Sequence, residues 1–451
     1  MLIGIQEKTL ELTKILSQFI VEMKSTDIPL HIFEHAKLAF LDWLGVTLAG
    51  KDDPLVQKLI RYADLMGGNK QATILGYGMK TNLSQCALIN GAASHVLDYD
   101  DTLEAFLGHP SVTIFPSLLA LSEWNEKSGF DFLAAYIIGI QVGATIGACA
   151  GMEDHYRSGW HGTSTIGHFA SAAACARLLE LNEKQTVYAL GIAGTQACGL
   201  RRSIGTMCKP LHAGRASQTG LLAALLAAEG FVGAEDILEG PNGFFEVLKG
   251  KINDKAVDAL GKTWEIENLC QKYYPSCLGT HSPMEAAILV VQREGLAMKD
   301  IKSIRVYCSP LTVDVAGKKE PRTPLEAKFS IPYCVASLLI RGDASVKAFT
   351  NEKLNAPEVK QLMKKISVDS DKKMTTISCH VEVETVEGNV YSQYADVMKD
   401  IPELDLKKKK VRNKFIDLCI PILGDKKADK IMKVIDSLEK IGNIRTIIEQ
   451  I

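Results

Sequence analysis

The chain has 451 residues, with 51 basic and 53 acidic side chains and a formal net charge of −2. This length exceeds what one hydrophobic core usually organises, so the sequence predicts two domains. The near balance of charge excludes a general polyanion binder or a membrane-surface protein, so we expect no nucleic-acid and no membrane partner. The cysteines include no CxxC pair, which favours reduced core thiols in a cytoplasmic protein.

A helical domain is predicted over residues 1–265, where apolar residues recur at helical spacing between Gly and Pro breaks. One segment, Phe132–Met152, is long and uncharged enough to mimic a membrane span. Half of it is Gly, Ala, Thr or Gln, which favours a fully buried central helix. The tail, residues 405–451, is again helical and is assigned to the same domain, with its lysine run LKKKKVRNKF as a solvated helix face.

A smaller α+β domain is predicted over residues 266–404. The segment DIKSIRVYC alternates like a strand, and ISCHVEVETVEGNVYSQYADV predicts a hairpin around Glu387–Asn389. A helix, FSIPYCVASLLIRG, lies between them. The predicted fold class is therefore mainly α, with a large all-α helical domain and a smaller α+β domain.

The stretch SHVLDYDDTLEAFLGHPS places four carboxylates and two histidines in eighteen residues without Lys or Arg. Asp98, Asp100 and Thr102 fit the DxDxT of phosphotransferases, a motif that must follow a buried strand. Asp100, Asp101 and Glu104 also fit the DDxxE of magnesium-dependent isoprenoid synthases. A structural interpretation, with acids capping a helix start while His95 bonds a loop carbonyl, explains only part of the pattern.

A basic segment, GLRRSIGTMCKPLHAGRASQTG, contains Lys209, His212 and Arg215, and no acid occurs between Glu183 and Glu229. Pro210 suits a first helical turn, so these cations gather at the positive end of a helix. A bound carboxylate or phosphate, or the acidic stretch, would offset them. A carboxylate-binding protein without catalytic activity is one outcome of that pattern.

Two more segments carry candidate residues. In SGWHGTSTIGHFASAAA, His161 precedes a predicted helix, while His168 is assigned to the core. In QKYYPSCLGTHSP, Lys272 and His281 lie where the helical pattern changes to strands. Neither segment has the ligand spacing of a zinc site, so no metal is predicted.

Taken in order, SHVLDYDDT with GHPS, GWHGTSTIGHFASAAA, GTMCKPLHAGRASQTGLLAALLA and KYYPSCLGTH resemble the MmgE/PrpD family over most of the chain. That family includes 2-methylcitrate dehydratases, cis-aconitate decarboxylases and iminodisuccinate epimerases. The resemblance implies a homodimer with a helical domain and an α+β lid. It also implies substrate-binding or catalytic roles for six residues: Asp98, Thr102, His109, His161, Lys209 and Lys272. The same roles transfer more weakly to His212, Arg215 and His281.

The resemblance implies a cofactor-free lyase that handles a proton next to a carboxylate of a small di- or tricarboxylate. The leading prediction is dehydration of a 2-methylcitrate-like hydroxy acid. Leu278 stands where some family members place a polar group, and this disfavours decarboxylation. Epimerisation of an iminodisuccinate-like diacid and cis-aconitate-type decarboxylation are the alternatives. We assign catalysis to His109, His161, Asp98 and Lys209, with His109 first for proton exchange. The remaining five are assigned to substrate binding: Thr102, Lys272, His212, Arg215 and His281.

Overall fold

The computed structural model describes residues 10–342, 344–375 and 377–451, and they divide into two compact units. The first unit comprises residues 10–96, 100–271 and 408–451, and the second comprises residues 97–99 and 272–407. The described chain is mainly helical with little strand, which confirms the predicted fold class.

The first unit is built almost entirely from helices. In its first two segments they are α1 (Leu12–Glu22), α2 (Leu30–Gly50), α3 (Pro54–Met66), α4 (Leu83–His95), α5 (Ser111–Asn125), α6 (Gly129–Ala150), α7 (Met152–Arg157), α8 (Gly162–Leu178), α9 (Glu183–Gly194), α10 (Cys208–Ala228), α11 (Phe244–Leu248) and α12 (Asp254–Asp258). A short antiparallel hairpin, β1 (Ala72–Ile74) with β2 (Met79–Thr81), interrupts the all-α pattern that the sequence predicts.

The second unit is an α+β layer. Its helices are α13 (His281–Glu294), α14 (Pro310–Ala316), α15 (Pro324–Ala327), α16 (Ile331–Arg341), α17 (Asn351–Leu354) and α18 (Pro357–Met363), and its strands are β3 (Ile301–Cys308), β4 (Ile366–Ser370), β5 (Cys379–Thr385) and β6 (Val390–Ala395). The sheet order is β4-β3-β5-β6. Only β3 and β4 pair in parallel, as their long helical connection requires, while β5 and β6 form the predicted hairpin.

The tail consists of α19 (Leu404–Leu423), α20 (Asp425–Asp436) and α21 (Arg445–Ile448). From residue 408 onward it belongs to the first unit, where Phe415, Ile431 and Leu438 join the same core as α2. The lysine run is not wholly solvated, because Lys407 and Lys414 are buried. That part of the prediction is wrong.

Helix α6 is the apolar segment that resembled a membrane span. It is the one helix of the described residues that is long and apolar enough to cross a membrane, and 94% of its most apolar window is buried. It packs against α8 and contributes to the main core, as predicted for a central helix. Its Tyr136 stacks on Phe115 of α5 with ring centroids 3.8 Å apart.

The approach of α4 to α10 positions the candidate site. A Cβ on Gly91 would lie 2.7 Å from the Gly214 Cα, and a Cβ on Gly214 would lie 2.2 Å from the Leu88 carbonyl oxygen. Only glycine allows backbones to come this close. The crossing brings the last residue of α4, His95, towards the first turns of α10, which carry Lys209 and His212.

Candidate active site

The acidic stretch is a loop between α4 and α5, and it directly follows a helix rather than a strand. Helix α4 ends at His95 and α5 begins at Ser111, so the DxDxT interpretation lacks the buried strand it requires. Backbone hydrogen bonds between Thr102 and Cys270, 2.9 Å in each direction, hold the loop. Gly108 lets it lie against α8, since a Cβ there would be 2.4 Å from the Thr163 Oγ1.

Asp100 joins two imidazoles. The His95 Nδ1 lies 2.9 Å from both carboxylate oxygens, and the His109 Nδ1 lies 3.0 Å from Oδ2. Burial would raise the pKa of Asp100, but the two imidazoles hold it well below its usual value. The ionised carboxylate therefore orients both rings. The interpretation in which His95 bonds a loop carbonyl is wrong, because its Nδ1 faces this carboxylate.

His109 is held through its Nδ1 atom. Besides Asp100, that atom lies 2.8 Å from the Asp101 carbonyl oxygen and 3.3 Å from the Thr102 Oγ1. The His109 backbone N–H donates to the Thr163 hydroxyl at 3.2 Å. These oxygens fix the proton on Nδ1, so the ring can exchange a proton only through Nε2. The side chain is 12% exposed.

His161 and His212 form a second imidazole pair. Their Nδ1 atoms are 3.1 Å apart, so one ring donates and the other accepts. His161 directly precedes α8, as predicted, and its backbone N–H donates to the Gly199 carbonyl. Burial, followed by Lys209 and His212, holds the pKa of His161 well below its usual value. Burial and Lys209 also lower the pKa of His212.

Lys209 supplies the positive charge of this cluster. It is the second residue of α10 and is buried, and its charge lowers the pKa of His95, His161 and His212 after the larger effect of burial. Arg215, two turns along α10, is exposed and donates to the Gln218 side chain instead. The structure thus brings Lys209 and His212 together with the imidazoles and places Arg215 outside that group.

A buried charge network lies behind the acidic loop, and the sequence analysis missed it. The Asp101 carboxylate accepts from the Ser111 hydroxyl, which lies 2.6 Å from the Tyr136 hydroxyl. Burial, followed by the Asp42 carboxylate, raises the pKa of Asp101 to about 8. Asp42 is paired with Lys414 of α19 at 2.7 Å, and both side chains are almost fully buried.

The second unit contains Asp98, Lys272 and His281. The Lys272 Nζ donates to the Asp98 Oδ1 at 2.7 Å and to the Asp98 carbonyl oxygen at 3.0 Å. Asp98 has a φ of 54°, a left-handed conformation that is strained for a non-glycine residue. Lys328, which the sequence analysis did not single out, donates to the Leu97 carbonyl oxygen. His281 begins α13 and its ring contacts Tyr274 edge-on at 5.2 Å.

Chemically, the cluster of the first unit can exchange protons beside an anion. His95, Asp100 and His109 are also residue types that could hold a divalent metal, and their ligand atoms lie within 4.8 Å of one another. Metal-independence therefore stays a prediction. All eleven cysteines are free thiols.

A carboxylate that orients two imidazoles next to a buried lysine is typical of an acid–base enzyme. A family model for the MmgE/PrpD N-terminal domain matches residues 14–255, and one for the MmgE/PrpD C-terminal domain matches residues 274–440. The chain belongs to the MmgE/PrpD family, which confirms the resemblance read from its motifs.

Several curated relatives are similar over most of their length. The cis-aconitate decarboxylase of Mus musculus is 27% identical over 426 residues, covering 91% of this chain and 87% of that protein. The cis-aconitate decarboxylase of Aspergillus terreus (strain NIH 2624 / FGSC A1156) is 25% identical over 456 residues, covering 95% and 93%. The mitochondrial 2-methylcitrate dehydratase of Yarrowia lipolytica is 26% identical over 367 residues, covering 76% and 69%. These relatives are decarboxylases and dehydratases, which supports enzymatic activity.

Proposed function

We propose that the protein is a lyase that dehydrates a small hydroxy di- or tricarboxylate, such as a 2-methylcitrate-like acid, without metal or organic cofactor. The observation that carries the proposal is the Asp100 carboxylate oriented towards both His95 and His109. It fixes the imidazole tautomers, which general acid–base catalysis needs.

Dehydration needs two proton transfers and a place for negative charge. In the proposed reaction, His109 takes the proton from the carbon next to a carboxylate, the C–H electrons form the C=C bond, and the hydroxyl leaves as water. His161, paired with His212, donates the proton that converts the leaving hydroxyl into water, and the proton taken up by His109 restores it after the alkene leaves. Lys209 stabilises the charge that develops on the substrate carboxylate. From the likeness to the family, we further propose that four more residues take part in substrate binding or catalysis: Asp98, Thr102, Lys272 and His281.

Decarboxylation of a cis-aconitate-like acid is the second candidate. It is favoured by relatives of this activity, at 25% and 27% identity, that the chain covers almost completely. It requires only one proton delivery to carbon after CO₂ leaves. Epimerisation of an iminodisuccinate-like diacid would use the proton abstraction without elimination.

One experiment separates these reactions. The protein is incubated with citrate, 2-methylcitrate, cis-aconitate and iminodisuccinate in heavy water, and products are followed by proton NMR, with and without EDTA. Alkene formation from a hydroxy acid supports the proposal, whereas CO₂ loss from cis-aconitate alone replaces it with the second candidate. Activity lost to EDTA and restored by a metal would contradict metal-independence. Failure of every acid to react or exchange a proton would favour a non-catalytic binder.

The role of His109 has its own test. His109→Gln should lower kcat by about 10²- to 10⁴-fold, the usual contribution of a general acid or base. His31→Gln is the matched control, because His31 is a half-exposed histidine that pairs with Glu267 in the same unit. We also propose a homodimer in the cytoplasm, and light scattering would report twice the mass of the chain.

A further inference from the structure

His95 lies at the centre of the imidazole cluster although the sequence analysis gave it no catalytic role. Its ring centroid is 4.6 Å from that of His109 and 6.4 Å from that of His161. The side chain is fully buried, and its Nδ1 atom is committed to Asp100. His95 is thus as well oriented as His109, by the same carboxylate.

The second ring nitrogen of His95 has no protein partner. Among residues 10–342, 344–375 and 377–451, no group hydrogen-bonds to the His95 Nε2, and this atom is shut off from solvent. Buried polar atoms in native proteins are rarely left in this state, and each one needs an explanation. A ligand that binds beside His109 and His161 supplies one.

The environment decides which kind of partner Nε2 needs. An ionised carboxylate only accepts hydrogen bonds, so the Nδ1 facing Asp100 carries the proton. His95 is fully buried and shares the single Asp100 carboxylate with His109, so a second ring proton would add an uncompensated buried positive charge beside the His109 ring. The ring is therefore neutral at neutral pH, and Nε2 offers a lone pair that requires a donor.

We propose that the His95 Nε2 accepts a hydrogen bond from the hydroxyl group of the substrate and so selects a hydroxy acid over its unsaturated or deoxy analogue. This inference rests on the proposed function and narrows its substrate class. Ionised substrate carboxylates cannot fill the position, because they lack a proton to donate. A hydroxyl fills it, and an analogue without one leaves the nitrogen buried and unpaired.

The test compares citrate with tricarballylate, which has the same three carboxylates but no hydroxyl. Titration calorimetry should show wild-type protein binding citrate about 5- to 150-fold more tightly, the usual effect of one unsatisfied buried polar atom. His95→Asn keeps an amide N–H that can reach Asp100 but places nothing at the Nε2 position. In this variant the affinities for citrate and tricarballylate should agree within about twofold. Citrate binding should weaken, while tricarballylate binding should stay as in the wild-type protein.

Two further arms keep the result unambiguous. His155→Asn is the matched control, since His155 is a buried histidine of the same unit whose Nε2 contacts the Thr165 hydroxyl; it should keep the citrate preference. If His95→Asn does not fold by circular dichroism, His95→Ala, which also places nothing at the Nε2 position, replaces it with the same expected loss of the citrate preference. The inference would be overturned if wild-type protein bound citrate and tricarballylate equally well, or if the citrate preference survived in His95→Asn. Tighter binding of iminodisuccinate than of citrate would also overturn it, because the donor to Nε2 would then be an amine and not a hydroxyl. If neither tricarboxylate binds wild-type protein, the proposed function itself fails.

Discussion

Asp101 should make the stability of the first unit depend on pH in a way that one substitution removes. Its side chain is buried beside Asp42 and Asp100, and its pKa rises from 3.8 to about 8. Between these values the folded state holds a proton that the unfolded state releases. The free energy of unfolding therefore falls as pH rises through this window, and the loss ends above the folded-state pKa. Asn at this position binds no proton in either state.

The size of the effect follows from linkage. One extra bound proton changes the free energy of unfolding by about 1.4 kcal/mol per pH unit. Between pH 6 and pH 9 the wild-type protein should lose about 3 kcal/mol relative to Asp101→Asn. The variant should thus be close to wild type at pH 6 and more stable at pH 9, while the hydrogen bond to Ser111 is retained by the amide.

Urea unfolding followed by tryptophan fluorescence measures this difference. The chain has four tryptophans, at positions 43, 124, 160 and 264, and all lie in the first unit, so the signal reports on that unit. Asp64→Asn, an exposed acid on α3, is the control and should show no pH-dependent difference. A wild-type to Asp101→Asn difference that stays constant from pH 6 to pH 9 would refute the reasoning.

Three other outcomes are expected. Lys414→Met should cost about 3–5 kcal/mol because the buried Asp42 loses its ion pair with Lys414, and adding Asp42→Leu should recover most of that loss in a thermal melt; no recovery would mean that the pair is not the cause. Lys209→Ala should lower turnover by about 10²-fold or more, to near zero, with little change in Tm. A clear drop in Tm would instead show that Lys209 has a structural role. Gly214→Ala should lower the Tm and the activity together, since its Cβ would meet the Leu88 carbonyl oxygen at 2.2 Å and force α4 away from α10; unchanged activity would separate that crossing from the site.

Local sequence patterns predicted the elements in which buried apolar residues recur at the regular spacing of a helix or a strand. Helix α16, the β5–β6 hairpin and the buried α6 are of this kind, because apolar spacing and turn residues specify them without distant partners. Strand β4 was missed, since its residues alternate weakly and its pairing partner β3 is distant in sequence. The hairpin of β1 and β2 was missed because each strand has only three residues.

The candidate site was predicted in part. Residues in dense polar motifs, such as His109, His161 and Lys209, were found because charge without local compensation signals a site. His95 and Asp100 lay in the same motif, but their pairing depends on where α4 ends. Asp42 and Lys414 carried no local signal, since a lysine in a basic run is usually solvated and only the folded core reveals its partner.

The position of the tail in the first unit also has a consequence for synthesis. Phe415, Ile431 and Leu438 belong to the same core as α2, so that core cannot close while the ribosome is still making the second unit. The first unit therefore completes its core only after residues 408–451 have been made, and these follow the second unit in the chain. Until the tail is made, α2 lacks its apolar contacts with the tail, and Asp42 lacks its ion pair with Lys414.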